Sequence, residues 1–286
     1  MERKILRLIQ PVTVTGQPIF GRYEAKATLS PVSRSQTSWQ LISPNSHCAI
    51  PIKAANLDLA WFQNLAVDCG ADGSWAHVLE HLLVLKWFGL VGVNLESTHC
   101  LPFTGSPRVF VDQVLPACQG DIVDLPVKTV SREIYWEYPR KRGGEKAYTK
   151  IVPRDDGRLS LNVAINYSGL GEVHRTYEFP NEPLLEKITE TCSQGWPPRR
   201  YWQSVLGRSF GLWDHHEHVE WPKEFPNSSL TLQRFVDHRA VDLLGILASL
   251  LNGAWLSADV YSVCSGHQAD LQVCQIAGHH LMTLPL

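Results

Sequence analysis

The sequence predicts an α+β protein of two similar halves, each a β-sheet with helices. Three observations carry this expectation. Strand-patterned runs are followed by helix-patterned runs, and then the whole order repeats. The restart falls near Ile122, which places the expected halves at residues 1–123 and 124–286. Finally, "HVLEHLLVLKWFGLVGVNL" in one half has the same layout as "HRAVDLLGILASLLNGAWL" in the other, as a duplicated fold would. The 286 residues suffice for one large domain or two of ordinary size.

From Lys4 to about Leu59, "YEAKATLSPV" and "SWQLI" alternate apolar and polar residues, the period of half-buried strands. The opening "MERKILRLIQPVTVTG" is broken by Arg7, Gln10 and Pro11, so it reads as a first strand rather than a signal peptide. "SWAHVLEHLLVLKWFGL" predicts a helix with Ser74 as N-cap and Gly89 as its stop. "VGVNLES" predicts a strand and "FVDQVLPAC" a helix. In the second half, "PVKTV" to "AINY" predicts strands around a Gly143-Gly144 turn, and "NEPLLEKITETCSQ" a helix. A Trp- and Pro-rich connection leads to the long helix "LQRFVDHRAVDLLGILASLLNG". Strand "ADVYSVCS" and helix "HQADLQVCQIAG" close the pattern.

Composition narrows the function classes. A hydrophobic fraction of 44% and a charged fraction of 19% are those of a globular protein. A formal net charge of −2 offers no electrostatic case for nucleic acid or an anionic membrane. No run of about 18 apolar residues exists, so no transmembrane segment is expected. The seven cysteines are odd in number, scattered, and form no C-x-x-C pair. A reducing cytoplasm is therefore expected, without a disulfide framework or cysteine-held zinc.

Chemistry concentrates on the two helices that share a layout. His77, Glu80 and His81 match the H-x-x-E-H spacing of inverted zinc peptidases. On the other helix, His238 and Asp242 are four apart and share a face. Such a pair is more often a surface hydrogen bond, but it can hold two corners of a tetrahedral zinc site. His81, from the equivalent helix, is the natural third ligand, which leaves a fourth position to water. Glu80 then lies beside the metal, where a general base would stand.

The motifs "VLEHL", "GRSFG", "FVDHRAVDLLG" and "CSGH" occur in this order. Together they resemble the UDP-3-O-acyl-N-acetylglucosamine deacetylase family, the zinc enzymes of early lipid A synthesis. The likeness extends over nearly the whole chain, with "TGQPIFGRYEAKATLSPV" and "LPFTGSPRVFV" similar in layout, and it implies that the helices are sandwiched between the two sheets. The resemblance implies that His81, His238 and Asp242 ligate Zn2+, with Fe2+ as an alternative. It implies that Glu80 is the general base, and that His267 protonates the leaving amine or steadies the oxyanion. Ser209 falls where the family has a hydroxyl residue at the developing oxyanion. Arg239 replaces a lysine near the nucleotide phosphates, and Phe210, next to Ser209 in "GRSFG", is a weaker candidate for substrate contact. In this family His77 has no ligand role, so it is expected on the helix surface.

Two departures shape the expected substrate. Ile246 stands where the family has an aspartate paired with the catalytic histidine, which leaves His267 without that carboxylate. The interval "LWDHHEHVEWPKEFPNSSLTLQR" is shorter than its family counterpart, an apolar β-α-β insert that forms the acyl-chain tunnel. The expected partner is therefore a small, polar N-acetylated molecule, and the lipid A deacetylase itself is the alternative. A binding module without catalysis is disfavoured by the intact Glu80, His81, His238 and Asp242. "DHHEH" at Asp214–His218 and "WPPRRYW" are further candidates for the site entrance or a substrate clamp.

Overall fold

A computed structural model describes residues 2–18, 23–60, 64–103, 106–138, 146–167, 171–179, 193–194, 219–220 and 229–285. The first half carries β1 (Glu2–Leu8), β2 (Val12–Gly16), β3 (Ala25–Pro31), β4 (Trp39–Ile42), β5 (Ala49–Pro51), β6 (Leu57–Leu59), β7 (Leu65–Asp68) and β8 (Ser74–Trp75). Helix α1 (Leu79–Leu83), strand β9 (Val93–Ser97), helix α2 (Arg108–Val114) and strand β10 (Cys118–Asp124) follow. The second half begins with β11 (Val127–Val130), β12 (Ile134–Glu137), β13 (Tyr148–Pro153), β14 (Leu159–Tyr167) and β15 (Gly171–Phe179). A short parallel pair, β16 (Ser193–Gln194) and β17 (Val219–Glu220), precedes helix α3 (Ser229–Leu247). Strands β18 (Trp255–Leu256) and β19 (Ala258–Val263), helix α4 (His267–Gly278) and strand β20 (Leu281–Thr283) complete the described chain.

The duplication is visible in the sheets. One five-stranded sheet has the order β2-β3-β9-β4-β5 and the other β12-β13-β19-β14-β15. In both, the central strand is antiparallel to one neighbour and parallel to the other. Order and direction repeat, so the halves are pseudo-symmetric. Period-two alternation gives each sheet one buried face: Ala25, Ala27 and Leu29 of β3, and Ala258, Val260 and Ser262 of β19. The helices lie between these faces, with α1 on α3, α3 on β14 and β15, and α4 on β12 and β13. One apolar core runs from Leu29 and Leu41 through Leu79, Leu82, Val241 and Leu244 to Leu161 and Val260. Burying each of its large side chains contributes about 1.5–3 kcal/mol.

Three local expectations are corrected. The first helix does not start at Ser74, which belongs to β8 and pairs with Asp68. His77 N–H donates to the His99 carbonyl and Leu101 N–H to the His77 carbonyl, so this segment bonds sideways rather than along a helix. The helix starts at Leu79, after Val78 at φ 68°. Gly89 does end the following turn, at φ +92°, where a Cβ would meet the Lys4 carbonyl oxygen at 2.6 Å. Cys118 begins a strand, because β10 pairs along its length with β1, from Glu2↔Asp124 to Leu8↔Cys118. Ser193 and Gln194, expected at the end of a helix, form β16. The rest of that expected helix and the Gly143-Gly144 turn lie outside the described residues. So do the Trp- and Pro-rich connection and the Asp214–His218 loop.

The two site-bearing helices are clamped together beyond the site. Lys86 Nζ, just past α1, donates to the carbonyls of Ala248 at 3.1 Å and Leu251 at 3.2 Å, which follow α3. Trp87 Nε1 donates to the Leu244 carbonyl at 2.8 Å. These bonds satisfy carbonyls that a helix end leaves open. Burial pushes the Lys86 ammonium down to about 7. No described helix is long and apolar enough to cross a membrane, and the described cysteines are free thiols.

Candidate metal centre

Helical periodicity places His238 and Asp242 one turn apart on the face of α3 that meets α1. His238 Nε2 lies 3.6 Å from Asp242 Oδ1. From α1, His81 Nε2 lies 3.7 Å from the same oxygen. One ligand atom from each of the three fits within a 4.8 Å span. Bonds of about 2.0–2.2 Å to a tetrahedral ion put its ligand atoms roughly 3.3–3.6 Å apart, so the observed spacing suits a divalent cation. Two of the donors, His238 and Asp242, are also in ligating form. Burial pushes the His238 imidazole down to about 4, leaving it neutral. Burial acts to raise Asp242, but His238 and His267 outweigh it and hold the carboxyl well below the usual range. All three side chains are buried, which keeps competing water from the donors.

Two helices can meet this closely because of Gly245, one turn beyond Asp242. A Cβ there would lie 2.1 Å from the Glu80 carbonyl oxygen. Sequence reasoning missed this residue. Its signal was a glycine inside an otherwise apolar helix, where close backbone approach is the usual reason.

Glu80 and His267 complete the cluster. Glu80 Oε2 accepts the Leu65 N–H at 3.1 Å, and Oε1 lies 3.8 Å from His267 Nε2. Burial raises the Glu80 carboxyl, against the pull of His267 and His81. Asp242 Oδ2 lies 3.4 Å from His267 Nε2. Thus one oxygen of Asp242 faces the two histidines and the other faces His267, and Glu80, Asp242 and His267 form a second close group. Ile246 supplies no carboxylate to His267, and the carboxylates that face its imidazole are those of Asp242 and Glu80. Burial alone would lower the His267 imidazole, but Asp242 and Glu80 hold it above its ordinary value. With its side chain 19% exposed, His267 is the most open member of the cluster. Phe103 stacks on His81, with ring centroids 5.5 Å apart, and limits the rotation of that ring.

Backbone strain sits just upstream of the site in both halves. Ala76 at φ 57° and Val78 at φ 68° precede Glu80, and Cys264 at φ 47° precedes Ser265-Gly266-His267. A left-handed β-branched residue costs of order 1–3 kcal/mol, a cost found mainly where surrounding structure fixes a functional geometry.

Five of the expected site residues therefore converge: Glu80, His81, His238, Asp242 and His267. Ser209 and Phe210 lie outside the described residues. Arg239 is not placed as expected at a substrate phosphate. Its side chain is buried and bonds Asp270, Ser262 and Ser265. His77 is not on the surface either. It is buried, with Nε2 3.0 Å from the Ser74 carbonyl and its ring on His99, centroids 4.3 Å apart.

No protein-family model matches this chain, and no curated protein matches it. The class is defined by fold and site together. A two-lobed α+β protein carries a buried His/His/Asp/Glu cluster, a candidate metal site, consistent with a metal-dependent hydrolase.

The cluster makes metal content a direct test. Purified protein is expected to hold about one divalent ion per chain by elemental analysis, as a three-ligand site does. His81→Ala, His238→Ala and Asp242→Ala should each lower that content, and His77→Ala should not. Metal loss in the His77 variant alone would move the site to the H-x-x-E-H motif.

Proposed function

We propose that this chain is a metal-dependent N-deacetylase similar to the UDP-3-O-acyl-N-acetylglucosamine deacetylase family, with domains at 1–123 and 124–286. The observation that supports it best is a buried carboxylate, Glu80, standing beside a His81–His238–Asp242 cluster with an imidazole opposite it. A divalent ion held by His81, His238 and Asp242 would polarise an acyl carbonyl and lower the pKa of water to about 7. Zn2+ suits two imidazoles and a carboxylate, and Fe2+ is accepted by the same donors.

Glu80 takes the proton of the attacking water through Oε1, while the Leu65 amide fixes Oε2. His267, whose imidazole Asp242 and Glu80 hold above its ordinary value, gives a proton to the departing amine. Ser209 supplies a hydroxyl to the oxyanion in this reading. The products are a free amine and a carboxylate.

The substrate follows from sequence chemistry. Each methylene of a long acyl chain is worth about 0.8 kcal/mol if buried in an apolar channel. Between Leu212 and Gln233 the chain instead offers Asp214, His215, His216, Glu217, His218, Glu220, Lys223 and Glu224. Charges of this kind do not line a dry tunnel without a large desolvation cost. A compact, polar N-acetyl compound, handled in a reducing cytoplasm, is the expected substrate. The test compares N-acetyl sugars and N-acetylated amino-acid-like compounds with the long-acyl UDP-sugar, following loss of the acyl group by mass spectrometry. Strong preference for the acylated UDP-sugar would make this a lipid A enzyme whose tunnel is built elsewhere. No hydrolysis of any substrate by metal-loaded protein would favour a binding module.

A further inference from the structure

Beside the metal cluster lies a second buried polar network that the chemistry above does not use. Arg239 follows His238 in α3, and its Nη2 bonds Asp270 Oδ2, with side chains 6% and 0% exposed. The same Nη2 donates to Ser262 Oγ and Ser265 Oγ, each at 3.1 Å. The two serine hydroxyls are 2.7 Å apart. On its other side, Asp270 Oδ1 accepts Thr149 Oγ1 at 2.7 Å and lies 3.4 Å from Ser265 Oγ. The network therefore ties α3, β13, β19 and the first turn of α4 to one another.

Its neighbours in sequence are the site itself. Arg239 adjoins His238, Ser265 is two residues before His267, and Asp270 is one helical turn after it. His267 is the one member of the cluster carried by α4. The chain reaches it through Cys264 at φ 47° and an extended Gly266 at φ −153°, with no side-chain cap on the helix. A strained, uncapped helix start holds its place only if its surroundings over-determine it. The Ser265 hydroxyl, held by Ser262, Arg239 and Asp270, does that.

Stability alone does not explain the pair. Desolvating two charges offsets most of their attraction, and an apolar pair of similar volume would fill the same space. What such a pair adds is direction, because one guanidinium nitrogen, Nη2, is aimed at Asp270 and at both serines from a fixed position. We propose that Arg239 and Asp270 are a positioning pair that sets His267 against His81, His238 and Asp242. Its kinetic arm rests on the deacetylase reading; its spectroscopic arm does not.

The test uses full-length, zinc-loaded protein with labelled histidine side chains, comparing wild type with Asp270→Asn and with the Arg239→Met/Asp270→Leu double variant. Both variants are expected to keep about one metal per chain while the His267 ring resonances move. Turnover should fall by about tenfold to hundredfold, the cost of misplacing a reacting group by roughly 1 Å, with KM nearly unchanged. Arg239→Lys should lose turnover in the same way, since the shorter side chain does not bring its ammonium to the position of Nη2. Unmoved His267 resonances with normal turnover would overturn the proposal. A raised KM at constant turnover would also overturn it, and would return Arg239 to the substrate. If Asp270→Asn does not fold, the double variant is read in its place. Should neither fold, the pair is a core element and the proposal fails. A zinc-loaded wild type without deacetylase activity would sink the proposed function and leave the resonance measurement standing.

Discussion

Glu80→Gln is expected to lower turnover by about two orders of magnitude or more, with metal content and fold retained. Glutamine matches glutamate in shape and still offers an oxygen to the Leu65 amide, which Oε2 accepts at 3.1 Å. What it loses is the capacity to take a proton. The native carboxyl is well suited to that task, because burial raises it above the ordinary glutamate range while His267 and His81 keep it from rising without limit. The comparison requires kcat normalised to bound metal, so that a change in loading is not read as a change in chemistry. Near-normal turnover in Glu80→Gln would remove this residue from the mechanism and leave Asp242 or His267 to move the proton.

The second large effect is expected from the smallest substitution, Gly245→Ala. The added Cβ would meet Glu80 at 2.1 Å from its oxygen and 2.6 Å from both its carbonyl carbon and Cα. All three are backbone atoms, so no side chain can swing aside. Ordinary van der Waals contact is about 3.5 Å, and the two helices must part by roughly 1 Å to reach it. Alanine returns about 1 kcal/mol of helix propensity. Overpacking costs about 1–3 kcal/mol or more, so the net change is destabilising. The larger consequence is at the metal. Glu80 and His81 move with α1, Asp242 moves with α3, and ligand distances tolerate only about 0.2 Å. Gly245→Ala should therefore have a lower Tm and lose its metal on dialysis. A variant with native Tm and full metal content would show that the helices do not cross at this point.

Much of the fold was legible in the sequence because its causes are local. Alternation in "YEAKATLSPV" and "ADVYSVCS" marks β3 and β19, since a strand turns every second side chain toward the core. Helix α4 has the bounds expected of "HQADLQVCQIAG". The pairing of His238 with Asp242 follows from helical periodicity alone, and the repeated layout of the two helices was enough to bring His81 to the same place. The segments beyond β15, including Ser209 and Phe210, largely lie outside the described residues as far as α3.

What the sequence could not show depends on partners far along the chain. Ser74 carries a good N-cap signal, yet lateral bonds between His77 and the segment at His99 and Leu101 outweigh it and delay the helix to Leu79. β10 has almost no buried side chains, and only its pairing with β1 makes it a strand. Ile246 removes one carboxylate from beside His267, and only the packing shows that Asp242 offers one oxygen to each side of the site. Asp270 was hidden because an acidic residue near a helix start needs no special reason. Arg239 read as a phosphate contact, and the fold turns it instead onto Asp270. Residue types and spacing determined which groups could ligate, because a helix fixes its own faces. Which groups they meet was decided by how two sheets press those helices together, and a guanidinium taken from water must find a carboxylate wherever the packing leaves one.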